Sequence, residues 1–257
     1  MILAALWLAS LLAPVLAPHD PDRQTPGAAI QSPSRVHPLG TDGFGRDILS
    51  RLLWGGRTSQ LVGLLSTSLT VAVGVAVGAA AGYRGGAIDS VLTRVTEAVA
   101  TFPPVFLLIT LVAVFGASLP VLVLALGFAS WPTTARLVRA EFLALREREF
   151  VQAASALGAS GARVVWRHVL PGVAPVIIVA ATLRVAHVIL IESGLSYLGL
   201  GVPPPTASWG GMVADGREHL FHAAWVSFSP GLCIFLTVMT YNLVGDGLRD
   251  ALDPRTR

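Results

Sequence analysis

The sequence predicts an all-helical integral membrane protein, and three observations carry that prediction. Hydrophobic residues make up 53% of the 257 positions and charged residues only 13%, against about 25% charged in soluble domains. The apolar residues gather into runs close to the roughly 20 residues that a helix needs to cross a bilayer. Between the runs stand polar islands rich in Arg, Gly and Pro, which suit loops at the two membrane faces.

Six spans are expected, at residues 2–17, 60–82, 98–116, 119–138, 172–191 and 223–243. The first is short. Met1 opens directly into it with no positive region ahead, and Pro18 follows Ala17 where a signal would have to be cleaved. The run is therefore read as a membrane helix rather than a cleaved signal. Residues 18–58, rich in Pro, Asp, Gly and Arg, form an external loop with its charges in solvent. The glycines Gly40, Gly43 and Gly45 in that loop have the wrong spacing for a dinucleotide-binding turn, and no strand precedes them.

In the second span Gly74, Gly78 and Gly82 recur every four residues, which places them on one stripe where another backbone can approach closely. Tyr83-Arg84-Gly85-Gly86 makes a turn. Asp89, Arg94 and Glu97 then recur at helical spacing before Pro103-Pro104 and read as a solvated or interfacial face. Between spans four and five lies the longest polar island, Arg148-Glu149-Phe150-Val151-Gln152-Ala153-Ala154-Ser155-Ala156-Leu157-Gly158. Residues 149–157 are good helix formers without a breaker, and Gly158 supplies a left-handed stop. A second segment runs from Ala162 into Leu170-Pro171, where the next apolar run begins.

All eighteen basic residues are arginine. A Walker A loop needs a lysine that reaches the nucleotide phosphates, so ATP chemistry must come from another polypeptide. The arginines are dispersed between apolar runs rather than gathered on one soluble face, which argues against a nucleic-acid partner. With the Gln152 island inside, eleven arginines lie on the cytoplasmic side and six outside, with Arg184 within the fifth span. The excess has the positive-inside sign and puts both termini in the cytoplasm. Cys233 lies in the sixth span and is the only cysteine, so no intrachain disulfide is possible.

Other constellations carry less. His187 and Ser193 are six residues apart and poorly matched in face for an intramembrane nucleophile and base. Asp215, Glu218, His219 and His222 have helical spacing that could bind a metal, but a wet external helix face is the preferred account, and no metal site is assigned. Arg184 falls near the middle of the fifth span, where an unpaired charge is costly. It either lines a translocation path with His187 one turn away, or makes a structural pair with an acidic group of this or a partner subunit; the pair is the favoured reading. Glu192 is the acidic residue near that span's end.

The island resembles the cytoplasmic loop of ABC importer permeases, whose pattern of Glu-Ala-Ala, three residues, Gly and a later Leu-Pro falls here on Gln152-Ala153-Ala154, Gly158 and Leu170-Pro171. Gln152 stands where the pattern has Glu. The string His37-Pro38-Leu39-Gly40-Thr41-Asp42-Gly43-Phe44-Gly45-Arg46-Asp47 is similar to the segment before the second helix in C-type permease subunits of dipeptide, oligopeptide and nickel importers. So are the strings from Glu192 to Gly210 and from Tyr241 to Arg255. Permeases of this kind usually start with a polar cytoplasmic tail, which is not seen ahead of Ile2.

The resemblance implies a type I ABC importer transmembrane domain at residues 58–246, preceded by a first helix and external loop at 1–57 and followed by a cytoplasmic tail at 247–257. It implies that Glu149, Phe150, Gln152, Ala153, Ala154, Gly158, Leu170 and Pro171 dock an ATPase subunit. It marks Gly40, Thr41, Asp42, Gly45, Arg46 and Asp47 as an external motif. The implied partners are a homologous permease, two ATPase subunits or domains, an external substrate-binding protein and membrane lipid. ATP and Mg would sit on the ATPases, with no cofactor and no bond chemistry on this chain. The expected location is a bacterial-type cytoplasmic membrane, and the expected cargo is di- or oligopeptide, with nickel chelates as the alternative branch. A stand-alone secondary transporter is the other class; it would need ion-coupling carboxylates, broken helices and often an inverted repeat, and no repeat is visible.

Overall fold

Proline positions decide where the apolar runs become continuous helices and where they break. The protein is represented by a computed structural model that describes residues 1–252, apart from the side chain of Pro104. The end of the predicted tail, with Arg255 and Arg257, lies outside the described residues. Every regular element described is helical, with one isolated bridge between Thr41 and Asp47.

Four of the expected spans coincide, to within two residues, with parts of helices long and apolar enough to cross a membrane. Span two lies in α3 (Ile48–Arg84), whose 37 residues reach about 55 Å at 1.5 Å per residue. That exceeds the ~30 Å of hydrocarbon and leaves room for Arg51 and Arg57 outside it. Span four lies in α6 (Leu119–Arg146), span five in α9 (Leu170–Tyr197) and span six in α11 (Trp225–Leu252).

The other two spans depart from the expectation of six. The first is α1 (Ile2–Leu11), followed by the single turn α2 (Ala13–Leu16). Pro14 has no N–H to donate and its ring crowds the carbonyl four residues earlier. The ten residues of α1 therefore span only about 15 Å. The third is split into α4 (Gly86–Thr101) and α5 (Pro104–Phe115), with an angle of 81° between Gly86–Thr101 and Val105–Phe115. Phe102 precedes Pro103, a position disfavoured for helix, and it is extended at φ −77°, ψ 124°. Among the described residues there are thus four helices long and apolar enough to span, or five if the bent pair makes one span. The expected domain limits at 57/58 and 246/247 both fall inside helices, α3 and α11.

The chain clusters into two compact units. The first comprises Met1–Leu65, Leu111–Val123 and Val185–Leu243. Its core joins Ile48, Val185, Ala186, Ile189, Met212, Val226, Ile234 and Tyr241 around Trp209 of the short helix α10 (Trp209–Gly216). Trp209 donates its ring N–H to the Leu52 carbonyl at 2.9 Å and its backbone N–H to Ser59 Oγ at 3.0 Å. α1 is tied in by Trp7 Nε1 to Tyr241 Oη, 3.0 Å, and by Gln60 Nε2 to Ser10 Oγ, 2.8 Å.

The second unit comprises Ser66–Thr110, Leu124–Arg184 and the chain from Val244 on. Here the glycine stripe of α3 packs backbone against α6, as its spacing predicts. A methyl at Gly74 would lie 2.6 Å from Thr134 Cβ, one at Gly78 2.5 Å from the Ala135 carbonyl oxygen, and one at Gly82 2.6 Å from Phe142 Cβ. Asp89, expected in a solvated face, instead makes a two-point ion pair with Arg139, Nε to Oδ1 at 2.5 Å and Nη2 to Oδ2 at 2.7 Å. Planar guanidinium and carboxylate match in this side-by-side geometry.

Candidate coupling helix and external clasp

The polar island folds as α7 (Glu149–Ala156), entered from an extended Arg148 at φ −74°, ψ 143°. Glu149 lies in the first turn, where a negative charge complements the helix dipole. The exit is the glycine stop that the sequence predicts. Gly158 has φ +83°, its N–H donates to Ser155 O at 3.0 Å, and the Ala159 N–H donates to Ala154 O at 3.1 Å. Those two bonds make a Schellman stop. Gln152 donates its side-chain amide to the Glu147 carbonyl at 3.3 Å, a bond that a glutamate carboxylate could not make.

One residue anchors α7 and several face away. Val151 is buried with Val138 and Phe142 of α6 and with Val164, Val169 and Val173. On the other side Phe150 is 51% exposed and Leu157 88%. Glu149, Gln152 and Ala153 are also exposed, while Ala154 is half-buried. After α7 comes α8 (Gly161–Val164), started by Ser160 Oγ accepting from the Arg163 N–H. A π-helical turn at Val165–Val169 then leads into α9. Leu170 and Pro171 are thus early residues of a continuous Gly161–Tyr197 helix, and the wide turn precedes the proline that lacks an N–H. Leu170 is half-buried and Pro171 exposed.

The external motif, expected with solvated charges, is packed. Asp42, Arg46, Asp47 and Arg51 are each no more than 5% exposed. Asp42 Oδ1 accepts from the Phe44 and Arg46 N–H groups, and Oδ2 from Arg46 Nε at 2.6 Å. Arg46 Nη2 reaches Asp215 of α10 at 2.8 Å. Arg51 Nε lies 3.7 Å from Asp42 Oδ2, and Arg51 Nη1 is 3.2 Å from Asp22. Buried charges persist when paired and hydrogen-bonded in this way. Thr41 bonds the Ala28 carbonyl through its hydroxyl and exchanges bonds with Gln31. Gly45 turns the loop at φ +72°, and a methyl there would lie 2.0 Å from the Thr25 carbonyl oxygen. Gly40 also has a positive φ, +77°, and its N–H bonds His37 O.

Arg184, His187 and Glu192 all lie on α9, but the expected pairing of Arg184 is not found among the described residues. Arg184 is half-buried and forms no ion pair among the described residues. His187 is exposed. Glu192 is fully buried, its Oε1 accepting from Ser196 Oγ at 2.7 Å. Ser193 gives its hydroxyl to the Ile189 carbonyl, 2.8 Å. His219 is half-buried and His222 exposed, with their rings 5.3 Å apart, and Asp215 is taken by Arg46. The sequence does not reveal the Arg46 to Asp215 and Arg139 to Asp89 pairs, because partners 169 and 50 residues apart leave no local spacing to read.

Comparison with known proteins agrees with this architecture. Residues 74–257 match the family described as binding-protein-dependent transport system inner membrane component. A Brucella suis biovar 1 protein named as a peptide permease is 41% identical over 257 residues, covering 99% of this chain and 85% of the relative. The dipeptide transport system permease protein DppC of Alkalihalophilus pseudofirmus is 38% identical over 257 residues, 100% of this chain and 84% of that protein. Among solved structures, a chain of the MetNI methionine ABC transporter in inward facing conformation shares the fold at a TM-score of 0.63 and 18% identity, covering 79% of this chain and 96% of that one. An amino acid ABC transporter structure gives a TM-score of 0.60 at 15% identity, covering 79% and 94%. With its all-helical, membrane-spanning architecture, the chain belongs to the family of binding-protein-dependent transport system inner membrane components, the permease subunits of ABC importers.

Proposed function

We propose that this chain is the permease subunit of an importer for di- or oligopeptides, and that α7 is the part an ATPase subunit grips. The observation that carries the reading is the contrast on α7: Val151 is sealed into the core while Phe150 and Leu157 face outward. Exposed aromatic and aliphatic anchors on a rigid element suit a partner's groove. Closure of the ATPases would push α7, and Val151 would pass the displacement to α6 and the start of the Gly161–Tyr197 helix. The spans would then rearrange to open the path on one side or the other.

On this reading ATP and Mg belong to the ATPase subunits and the chain performs no bond chemistry. A homologous permease completes the path and an external binding protein delivers the cargo. The arginine excess supports an orientation with α7 and both termini in the cytoplasm of a bacterial-type cell. The peptide cargo is supported by the names of the relatives; nickel chelates are the second candidate, to be tested in the same uptake assay.

Phe150→Ala combined with Leu157→Ala tests the docking. Both side chains are exposed, so the chain should fold normally while ATPase retention on purification and uptake of labelled di- and oligopeptides fall about tenfold or more. Full retention and full uptake would reject α7 as the docking helix. Uptake of nickel chelates but not of peptides would reject the cargo.

A further inference from the structure

The loop ahead of α3 brings two imidazoles and a carboxylate to one point. His37 Nδ1 lies 2.9 Å from Asp47 Oδ1, and His19 Nδ1 lies 3.7 Å from the same oxygen. Ligand atoms from the three residues all fall within 4.8 Å of one another. Asp47 is held firmly. Its Oδ2 accepts from the Ser50 N–H at 2.8 Å and the Ser50 hydroxyl at 2.7 Å, which caps α3 and leaves Oδ1 turned toward the rings. His19 is fixed from behind by its backbone N–H on Ser50 Oγ, 3.0 Å.

A hydrogen bond between His37 and Asp47 accounts for those two residues but not for His19. Its Nδ1 is buried and has no hydrogen-bond partner among the described residues, a state that costs free energy unless something meets the nitrogen. A cavity of about 210 Å³ opens at this point. Asp20 and Arg23, of opposite charge, both line it, so the rim does not set a net field against a cation.

We propose that His19, His37 and Asp47 bind a divalent transition-metal ion, with water from the cavity completing its shell. Ligands about 2.0–2.2 Å from a tetrahedral zinc stand roughly 3.4 Å apart, and the 2.9 and 3.7 Å separations bracket that spacing. Two imidazoles with one carboxylate favour zinc, cobalt, nickel or copper over magnesium and calcium, which take oxygen ligands. The bound ion clips the segment after α2 to the first turn of α3 and so stiffens the base of the external loop. The bonds link three residues that the chain brings together only by closing that loop.

The test uses the full-length chain in detergent without a polyhistidine tag, titrated with Co²⁺ and followed by visible absorption, then displaced with Zn²⁺. His19→Ala removes a ring nitrogen that makes no hydrogen bond, so it should leave the fold intact. His222→Ala is the control, at an exposed histidine paired with His219. The expected result is cobalt bands in the parent chain and in His222→Ala, displaced by one equivalent of Zn²⁺, and Co²⁺ binding weakened by about tenfold or more in His19→Ala. Zn²⁺ should also raise the unfolding temperature of the parent but not of His19→Ala. Absence of bands in the parent, undiminished bands in His19→Ala, or their loss in His222→Ala would each overturn the assignment.

Discussion

Replacing Gly158 isolates the contribution of the stop that ends α7. The residue sits at φ +83°, and a methyl added there would meet no atom within 4 Å, so any cost is backbone strain rather than collision. An L-residue in the left-handed region costs roughly 1–2 kcal/mol, with β-branched residues at the upper end or beyond, while asparagine tolerates it best after glycine. The two bonds that close the stop, Gly158 N–H to Ser155 O and Ala159 N–H to Ala154 O, depend on that conformation. At about 1.4 kcal/mol per factor of ten, Gly158→Val should reduce the ratio of properly ended to frayed α7 by roughly thirtyfold relative to the parent. Gly158→Ala should fall between, and Gly158→Asn should be near the parent. The assay is ATPase co-purification together with uptake, with thermal unfolding as a check, since α7 contributes little to the core beyond Val151. Equal behaviour of the Asn and Val variants, or a ranking by side-chain volume, would refute the backbone argument.

Asp42→Asn keeps the acceptor for the Phe44 and Arg46 N–H groups but removes the charge facing two buried arginines, and should lower stability by about 3 kcal/mol, read from thermal unfolding in detergent. Arg184→Met leaves no acid unpaired among the described residues, so its unfolding should shift by less than about 1 kcal/mol; a path role then shows as loss of uptake for anionic or zwitterionic ligands at normal complex yield, and normal uptake of every ligand would remove that role. For topology, Cys233→Ser with a single new cysteine at exposed Ser160 should be labelled by an impermeant reagent only from the cytoplasm, and one at Thr206 only from outside. Thr206 is the suitable outer position because neighbouring Ala207 is buried; the reverse labelling pattern would invert the proposed orientation.

What could be read in the sequence was whatever repeats or breaks locally. The spacing of Gly74, Gly78 and Gly82 predicts a close-packed stripe, and each glycine does meet α6. Glu149 to Gly158 carries its own helix and stop. The apolar runs mark the long helices but do not weigh Pro14 or the Pro103-Pro104 pair, so counting runs gives two spans that the backbone breaks. The external motif was recognisable as an ordered string, yet its burial was not, because Asp, Arg and Gly have the composition of a solvated turn. Burial there follows from Asp22, Asp215 and the Thr25 carbonyl arriving from elsewhere in the chain. The cluster of His19, His37 and Asp47 escaped for the same reason: no helical or strand period links its members.

The glycine stripe has a mechanical consequence. Most contacts between membrane helices are made through side chains, which can change rotamer and absorb a displacement before the next backbone feels it. Where Gly78 faces the Ala135 carbonyl and Gly82 faces Phe142 Cβ, no such cushion lies between α3 and α6. Phe142 also packs with Val151, so a push on α7 arrives at the same turn of α6 that bears directly on α3. If α7 is the docking helix, as proposed above, the close backbone approach of α3 and α6 gives a push on it a stiff route to the neighbouring span.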